Sequence, residues 1–195
     1  MAVSNIAAMK SKGKYMLQWL YAKFYDKLIE EAEEKGLREW RKNLLQDISG
    51  DVLEIGSGTG ANLEFYSGNI SRLILNEPSS YMIQKLREKL AALNNSHAEI
   101  SNDTAESLSL KNESVDVVVS TLVLCSVNHL EKSLSEIHRV LKPQGKLIFI
   151  EHVLASNNFA RLKWQHRLEF LWKHIACGCH LTRDTENAIK KAGFN

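Results

Sequence analysis

The stretch VLEIGSGTGANL, residues 52–63, has the residue types and spacing best suited to chemistry in this chain. An apolar run ends in Gly56, Gly58 and Gly60, and a polar stretch of helical character follows. Such a turn holds a nucleotide-like ligand at the end of a strand, because glycine lets the backbone come close to it. Glu77 follows about twenty residues later, where a carboxylate can bind both hydroxyls of a ribose. Dinucleotides and nucleoside cofactors without phosphates both need these features.

Glu54 separates the two ligand classes. It lies inside the apolar run, directly before the glycine turn. A negative charge there opposes a phosphate group and attracts a ligand that carries ammonium and sulfonium groups. We therefore expect a cofactor without phosphates.

The segment WKHIACGCHLTRD, residues 172–184, raises the possibility of a metal site. It contains four residues with ligand atoms: His174, Cys177, Cys179 and His180. Zinc sites usually separate paired cysteines by about two to four residues, whereas these two are separated by one. We therefore predict no metal site, and we expect this segment to be a helix end that frames a pocket.

The elements that must position these residues alternate along the chain. Five runs rich in apolar residues predict strands: DVLEIG, SRLILNE, HAEISND, VDVVVSTLVL and KLIFIEHV. Helical periodicity is found in residues 78–93 and 129–141, and Pro143 with Gly145 is expected to end the second helix. Residues 15–45 also show helical spacing, divided at Gly36. This alternation predicts an α/β, doubly wound, mainly parallel sheet with its ligand at the carboxyl ends of the strands.

Composition excludes several functional classes. The 195 residues carry a formal net charge of +2, which is too small to indicate a nucleic-acid partner. The chain starts without the apolar core of a signal peptide, and its three cysteines cannot all be paired. We therefore predict a cytoplasmic protein. Lysines near the start would permit at most a peripheral contact with a membrane.

Several motifs resemble those of the class I S-adenosylmethionine-dependent methyltransferases: VLEIGSGTG, AESLSL with SVDVVV, and RVLKPQGKLIFIE. They are similar in particular to the ubiquinone and menaquinone C-methyltransferases. Three others, TLVLCSV, EHV and GCHLTRDT, resemble the methyltransferase-like proteins that methylate alkyl thiols. The resemblance implies S-adenosyl-L-methionine as cofactor, S-adenosyl-L-homocysteine as its product, and a small or lipid-like acceptor. A thiol is favoured, and an amine head group or a quinone ring stays possible.

The resemblance also implies contacts to the cofactor. Glu54 would hold the methionine ammonium, and Glu77 would bind the ribose hydroxyls. The backbone at Gly56, Gly58 and Gly60 would let the cofactor approach closely. Pro78, Met82 and the N–H of Ala105 would contact the adenine. Thr121 and Leu122 would lie beside the sulfonium. Many relatives carry an aspartate where this chain has Thr104, and Asp103 lies one step earlier. Tyr25 matches a tyrosine of the family's N-terminal lid and could face the sulfonium through a cation–π contact.

His152 is the candidate catalytic residue. It follows the fifth predicted strand, at the rim where an acceptor must enter. A thiol with a pKa of about 8.5 is mostly protonated at neutral pH, so a base nearby would help, although a purely structural histidine is the alternative. Cys125 is expected to be a small buried residue. We expect aromatic residues of the C-terminal third to be core or pocket wall: Trp164, Phe170 and Trp172.

Two segments are predicted, a helical lid over residues 1–48 and a methyltransferase domain over residues 49–195. The family's antiparallel C-terminal hairpin is missing, which indicates a truncated chain or a reduced sheet. The fifth strand would then be an exposed edge with only Lys146 and Glu151 as charges near its ends. C-terminal helices would cover it, or a homodimer would form through it. The alternative functions are a catalytically silent cofactor-binding module and a nicotinamide-dependent oxidoreductase.

Overall fold

A five-stranded sheet, parallel throughout, forms the centre of the computed structural model, which describes residues 19–20, 22–66, 68–93, 98–176 and 178–194. The strands are β1 (Gly50–Ile55), β2 (Ile70–Asn76), β3 (Glu99–Ser101), β4 (Val115–Thr121) and β5 (Leu141–Ile150). Their spatial order is β3-β2-β1-β4-β5. The order reverses between β1 and β4, which is where open α/β sheets bind ligands. The predicted α/β doubly wound fold is confirmed.

Helices cover both faces of the sheet. They are α1 (residues 22–32), α2 (Arg38–Leu45), α3 (Ser80–Ala92), α4 (Leu130–Val140), α5 (Phe159–Ile175) and α6 (Thr185–Lys191). A short 3-10 turn spans Leu63–Phe65, and a π-helical turn over Glu33–Leu37 joins α1 to α2. Gly36 has a φ of 124° within that turn, a value that favours glycine, so the predicted division at Gly36 is confirmed.

The core is divided by the sheet into two layers. Val52 of β1 packs with α2 and α3 on one face, whereas Leu53 and Ile55 pack with α4 and α6 on the other. All three side chains are at most 1% exposed. Burial on both faces explains why β1 is so apolar in sequence, and it holds the end of β1 rigidly at the reversal point.

β5 begins earlier than predicted. Helix α4 ends at Val140, and Pro143 and Gly145 lie inside β5 rather than between helix and strand. Val115 pairs with Leu141 and Val117 pairs with Lys146, so the intervening residues of β5 form a bulge, with Gln144 at a φ of 68°. An edge strand tolerates proline and a bulge because one side of it needs no partner strand.

The C-terminal third contributes helices to the fold. The described part of residues 153–194 contains α5 and α6 and no further strand, as predicted for a sheet without the antiparallel hairpin. The structure describes every residue of α5, and none of them is buried. Trp164 is 58% exposed and Phe170 is 77% exposed, so the prediction that they are core or pocket wall is wrong. The apolar residues of α5 are spread around the helix and form no single stripe that could pack on the sheet.

Within the described residues, no helix is long and apolar enough to cross a bilayer. The division into segments 1–48 and 49–195 stays a prediction, and so do the cytoplasmic location and a homodimer through the β5 edge.

Candidate functional site

A cavity of about 390 Å³ opens at the carboxyl ends of β1, β2 and β4. Most of the predicted site residues line it: Tyr25, Gly56, Gly58, Glu77, Pro78, Met82, Thr104, Ala105, Leu122 and His152. Glu54, Gly60 and Thr121 are not among its lining residues. The structure therefore brings residues from the whole length of the described chain to one site.

The three glycines of the turn have different physical roles. A Cβ atom at Gly56 would lie 2.5 Å from the Val123 side chain, and one at Gly60 would lie 2.7 Å from Leu63. At Gly58, with a φ of 56°, the nearest atom would be a Tyr25 ring carbon 3.9 Å away. Gly56 and Gly60 thus permit close packing within the protein, and Gly58 leaves the space that a ligand can enter.

Glu77 joins the end of β2 to the glycine turn. Its carboxylate accepts hydrogen bonds from the Gly58 N–H at 3.0 Å and from the Ser79 N–H at 2.8 Å. Burial raises the pKa of this carboxyl, which is only 7% exposed. The two backbone bonds fix the carboxylate at the cavity wall, in the position predicted for a ribose contact.

Asn76 is a site residue that the sequence analysis missed. Its Nδ2 donates to the Asp103 carbonyl at 2.8 Å, whereas its buried Oδ1 accepts from no group in the described part of the chain. Asn76 also lines the cavity. A buried acceptor without a donor is costly, so a ligand donor here would be stabilising. The free acceptor and the space over Gly58 fit a nucleoside with hydroxyl and amino donors. The available signal was a polar residue ending the apolar run SRLILN.

Asp103 does not serve as the aspartate that the family resemblance would lead one to expect before Ala105. Its carboxylate accepts from the Ser101 hydroxyl and from the Ser109 N–H, both at 2.8 Å, and so organises its own loop. Thr104 and Ala105 line the cavity instead. The predicted adenine contact at Ala105 therefore depends on the backbone of this loop.

A buried polar network lies behind the glycine turn. Glu54 is 1% exposed, and its oxygens accept from Asn62 Nδ2 at 2.9 Å and from the Tyr66 hydroxyl at 2.6 Å. Burial raises the pKa of Glu54 to about 7. Arg41, 2% exposed, donates to Asn62 Oδ1 at 2.7 Å and to Thr121 Oγ1 at 2.9 Å. Glu54 and Thr121 thus support the turn from behind, whereas the sequence analysis placed them against the cofactor.

Arg41 was missed by the sequence analysis. It lies in α2 with charged neighbours, a pattern typical of a solvated helix face. The structure buries it because Glu33 accepts from its Nε at 3.0 Å, so a charge partner accompanies the guanidinium into the interior.

Helix α1 lies against the glycine turn. The Thr59 hydroxyl donates to the Asp26 carboxylate at 2.5 Å, and Tyr25 lines the cavity next to it. Burial raises the pKa of Tyr25 to about 12, so its hydroxyl is protonated at neutral pH. The cation–π contact of Tyr25 stays a prediction.

The loop after β4 forms the opposite wall, and Glu151 holds it. The Glu151 carboxylate accepts from the N–H groups of Val123 at 3.0 Å, Leu124 at 2.9 Å and Cys125 at 3.1 Å. The Glu151 carboxylate thus turns inward and does not serve as a charge at the edge of β5. Leu122 has a φ of 62°, which strains a leucine, and the loop bonds maintain this conformation beside the cavity.

Three residues that are distant in the sequence meet at this wall, and we call them the Cys–His cluster: Cys125, His152 and Cys179. The Cys179 Sγ lies 3.1 Å from His152 Nδ1 and 3.4 Å from the Cys125 Sγ. The contacts with Cys125 and His152 lower the pKa of the Cys179 thiol, and the contact with Cys179 raises the pKa of His152. His152 and Cys179 line the cavity, and Cys125 is buried behind them, as expected.

The three potential ligands of residues 172–184 that the structure describes do not converge. The His174 Nδ1 contacts the Phe170 carbonyl at 2.7 Å, the His180 Nδ1 contacts Glu169 at 2.7 Å, and Cys177 lies outside the described residues. Arg183 attaches the segment to the loop after β4, because its Nη1 donates to the carbonyls of Leu124 and Val127 at 2.8 Å. Trp172 lines the cavity, with its ring centroid 6.5 Å from that of His152.

Comparison with known proteins agrees with this geometry. A family model described as a methyltransferase domain matches residues 53–149. The Rattus norvegicus protein named thiol S-methyltransferase TMT1B is 40% identical over 187 residues, which cover 93% of this chain and 74% of that protein. The ubiquinone/menaquinone biosynthesis C-methyltransferase UbiE of Hydrogenovibrio crunogenus is 30% identical over 125 residues, which cover 58% of this chain and 48% of that protein.

A solved structure shows the same fold. The Haloferax volcanii complex of the Trm112 methyltransferase activator with a methyltransferase contains a chain that superposes with a TM-score of 0.70 at 21% identity. The match covers 90% of this chain and 75% of that one. With the cavity, the glycine turn and the relatives in agreement, the chain belongs to the class I S-adenosylmethionine-dependent methyltransferases and uses S-adenosylmethionine as its methyl donor.

Proposed function

We propose that this protein transfers the methyl group to the thiol of a small, lipophilic acceptor. The observation that carries the proposal is the two-sided cavity, which runs from Gly58 and Glu77 to a wall formed by His152, Trp172 and Cys179. The rat relative, of which this chain covers 74%, is named a thiol S-methyltransferase, which supports the same acceptor class.

The cofactor supplies an electrophilic methyl group on a sulfonium. Gly58, Asn76 and Glu77 would hold its nucleoside part, through the space above the glycine and two acceptors at the end of β2. Glu54 lies behind the turn with its oxygens bonded to Asn62 and Tyr66, so it would support the shape of the turn and make no direct contact with the methionine ammonium.

The chain's main contribution is to align the acceptor and exclude water. Methyl transfer from a sulfonium needs an in-line approach, and positioning alone can supply up to about 7–11 kcal/mol in ideal cases. Apolar groups make up much of the acceptor side of the cavity: Leu122, Val123, Trp172 and Ala176. They favour a lipophilic acceptor over a charged one and keep water away from the reacting atoms.

His152 stays the candidate for assisting deprotonation of the acceptor. Its ring lines the cavity, but its Nδ1 faces Cys179 at 3.1 Å, which leaves Nε2 as the nitrogen that could take a proton from an acceptor. A role of His152 in proton transfer is thus restricted to its Nε2 atom.

Mass spectrometry of methylated products would test the acceptor class. The purified full chain is given S-adenosylmethionine and matched alkyl acceptors that differ only in the head group: thiol, amine, alcohol and a quinone. We expect the methyl thioether to form fastest. Methylation of the amine or the quinone in preference to the thiol would contradict the proposal. Cofactor binding without turnover of any acceptor would favour a catalytically silent module.

A further inference from the structure

We propose that the Cys–His cluster is a zinc site with its fourth coordination position open to the cavity, and that the acceptor thiol binds there as a thiolate. The proposal rests on thiol methylation as the proposed function, and it replaces the expectation of no metal site. The observation that carries it is the juxtaposition of Cys125, His152 and Cys179, whose ligand atoms all lie within 4.8 Å of one another.

The separations of the three ligand atoms suit a tetrahedral ion. With Zn–S of about 2.3 Å and Zn–N of about 2.0–2.1 Å, two sulfur ligands are about 3.8 Å apart and a sulfur and a nitrogen are about 3.6 Å apart. The cluster has 3.4 Å between its sulfurs, and 3.1 and 4.0 Å between each sulfur and the His152 Nδ1. Shifts of a few tenths of an ångström would complete the coordination triangle.

Among the described residues, the cluster is open on the side that faces the cavity. Cys125 is 0% exposed, and Cys179 is 4% exposed but contributes to the cavity lining together with His152. Three protein ligands with one accessible position are typical of catalytic zinc, whereas structural zinc is usually closed by four protein ligands. An ion held here would therefore face the cavity in which the acceptor is bound.

The backbone around each ligand is held in place. Glu151 accepts from the Cys125 N–H at 3.1 Å, and the Cys125 carbonyl accepts from the His180 N–H at 3.0 Å. The Thr185 hydroxyl donates to the His152 carbonyl at 3.4 Å. Such outer contacts fix ligand orientation, which metal affinity depends on. Two cysteine thiolates would also neutralise the charge of Zn²⁺, so the buried site carries no net charge before the acceptor arrives.

With His152 serving as a ligand, the ion would activate the acceptor in place of the protein base considered above. The acceptor thiol loses its proton to solvent as its sulfur binds the ion, since zinc strongly favours the thiolate. A lone pair of that sulfur then forms the new S–C bond to the methyl carbon. The bond from this carbon to the sulfonium sulfur breaks, and its electron pair stays on the departing sulfur. The products are the methyl thioether and S-adenosylhomocysteine, and zinc is unchanged.

Zinc content is the direct test. The full chain is purified with a phosphine reductant, stripped with a chelator, titrated with zinc alone, and analysed by mass spectrometry for metal per chain. We expect one zinc per chain. Cobalt in its place should give the near-ultraviolet thiolate charge-transfer bands that report sulfur ligation. A chain that takes up no zinc, or that forms a Cys125–Cys179 disulfide under these conditions instead, would overturn the proposal.

Variants assign the ligands. Cys179→Ser and His152→Gln should each weaken zinc binding by more than about 100-fold, since even outer contacts cost 10–100-fold. Cys177→Ser and His174→Gln are the matched controls and should bind zinc as the parent does. Circular dichroism tests whether each variant is folded. Zinc binding by Cys125→Ser is interpreted only if its spectrum matches that of the parent. If Cys177→Ser weakened zinc binding as much as Cys179→Ser, or His174→Gln as much as His152→Gln, the assignment of the ligands would be overturned.

Activity separates this proposal from the one it rests on. If zinc binds and no thiol is methylated, the proposed function fails and the metal site stands, without the thiolate role. If the metal-free chain methylates thiols as fast as the zinc-loaded chain, the zinc-thiolate role fails and the proposed function stands. We expect turnover to fall at least tenfold on metal removal and to return on adding zinc.

Discussion

The two walls of the cavity are built in different ways. The centre of the cofactor wall lies in residues 54–77, where Gly58 is bonded to Glu77 and Glu54 to Asn62, and Arg41 and Thr121 join this network from more distant segments. The acceptor wall brings together Cys125, His152 and Cys179 from three separate segments, next to a helix with no buried residue. The difference indicates that the centre of a cofactor site can lie within one short stretch of sequence, whereas the opposite wall depends on residues that only the tertiary fold brings together.

Gly58→Val should break the cofactor wall most completely. A valine would be strained at a φ of 56°, and its side chain would enter the space above the turn. We expect S-adenosylmethionine binding to be lost in calorimetry. Gly68→Val is the control, because a Cβ there meets nothing within 4 Å. Retained affinity in folded Gly58→Val would show that the ligand does not pass over this residue.

Glu77→Ala tests whether the cofactor wall is one unit. Each lost charge-assisted bond to a ribose hydroxyl should weaken binding by about 1.5–3 kcal/mol. The melting temperature should also fall, because Glu77 accepts from the backbone of Gly58 and Ser79. Unchanged affinity in calorimetry would remove Glu77 from the site, whatever happens to stability.

Glu54→Gln sharpens the comparison by probing the network behind the turn. The folded-state pKa of about 7 exceeds the ordinary value of 4.5, so this carboxyl contributes stability at low pH that is lost as pH rises through about 7. The change amounts to about 3 kcal/mol at most. The free energy of unfolding, measured with urea below pH 4.5 and above pH 7, should change less with pH in Glu54→Gln than in the parent. Glu88→Gln, at an exposed position, should keep the parent's dependence, and a parent-like slope in Glu54→Gln would contradict the expectation.

Trp172→Ala should produce the smallest effect, confined to the acceptor wall. Trp172 lines the cavity while Trp164, on the same helix, is 58% exposed. We expect KM for a lipophilic thiol to increase by a factor that corresponds to about 1 kcal/mol of lost binding free energy, and we expect cofactor affinity to stay unchanged. Trp164→Ala should leave both parameters as they are. A loss of cofactor affinity in Trp172→Ala would show that the two walls are not separate.

The same contrast explains what the sequence could predict. The glycine turn and Glu77 lie beside the cavity, as expected because strand ends in a parallel sheet meet at one edge, and their contacts with the cofactor stay predictions. Arg41 was missed because a charged residue on a helix usually faces solvent, and here Glu33 and Asn62 accompany it inside. The Cys–His cluster was missed because nothing in its local spacing indicates that the segments meet. Pro143 and Gly145 misled the assignment of β5, since an edge strand accommodates a bulge that a central strand would not.

Helix α5 has a consequence for motion. A segment that buries none of its side chains gains little from packing, so its opening should cost much less free energy than global unfolding. Native-state hydrogen exchange should show α5 amides exchanging through local opening while those of β1 and β4 exchange only when the whole molecule unfolds. The acceptor wall would then admit a bulky acceptor and release its methylated product without disturbing the bound nucleoside. In such an enzyme, the range of acceptors would be limited by how far one helix swings away, and a fixed pocket shape would matter less.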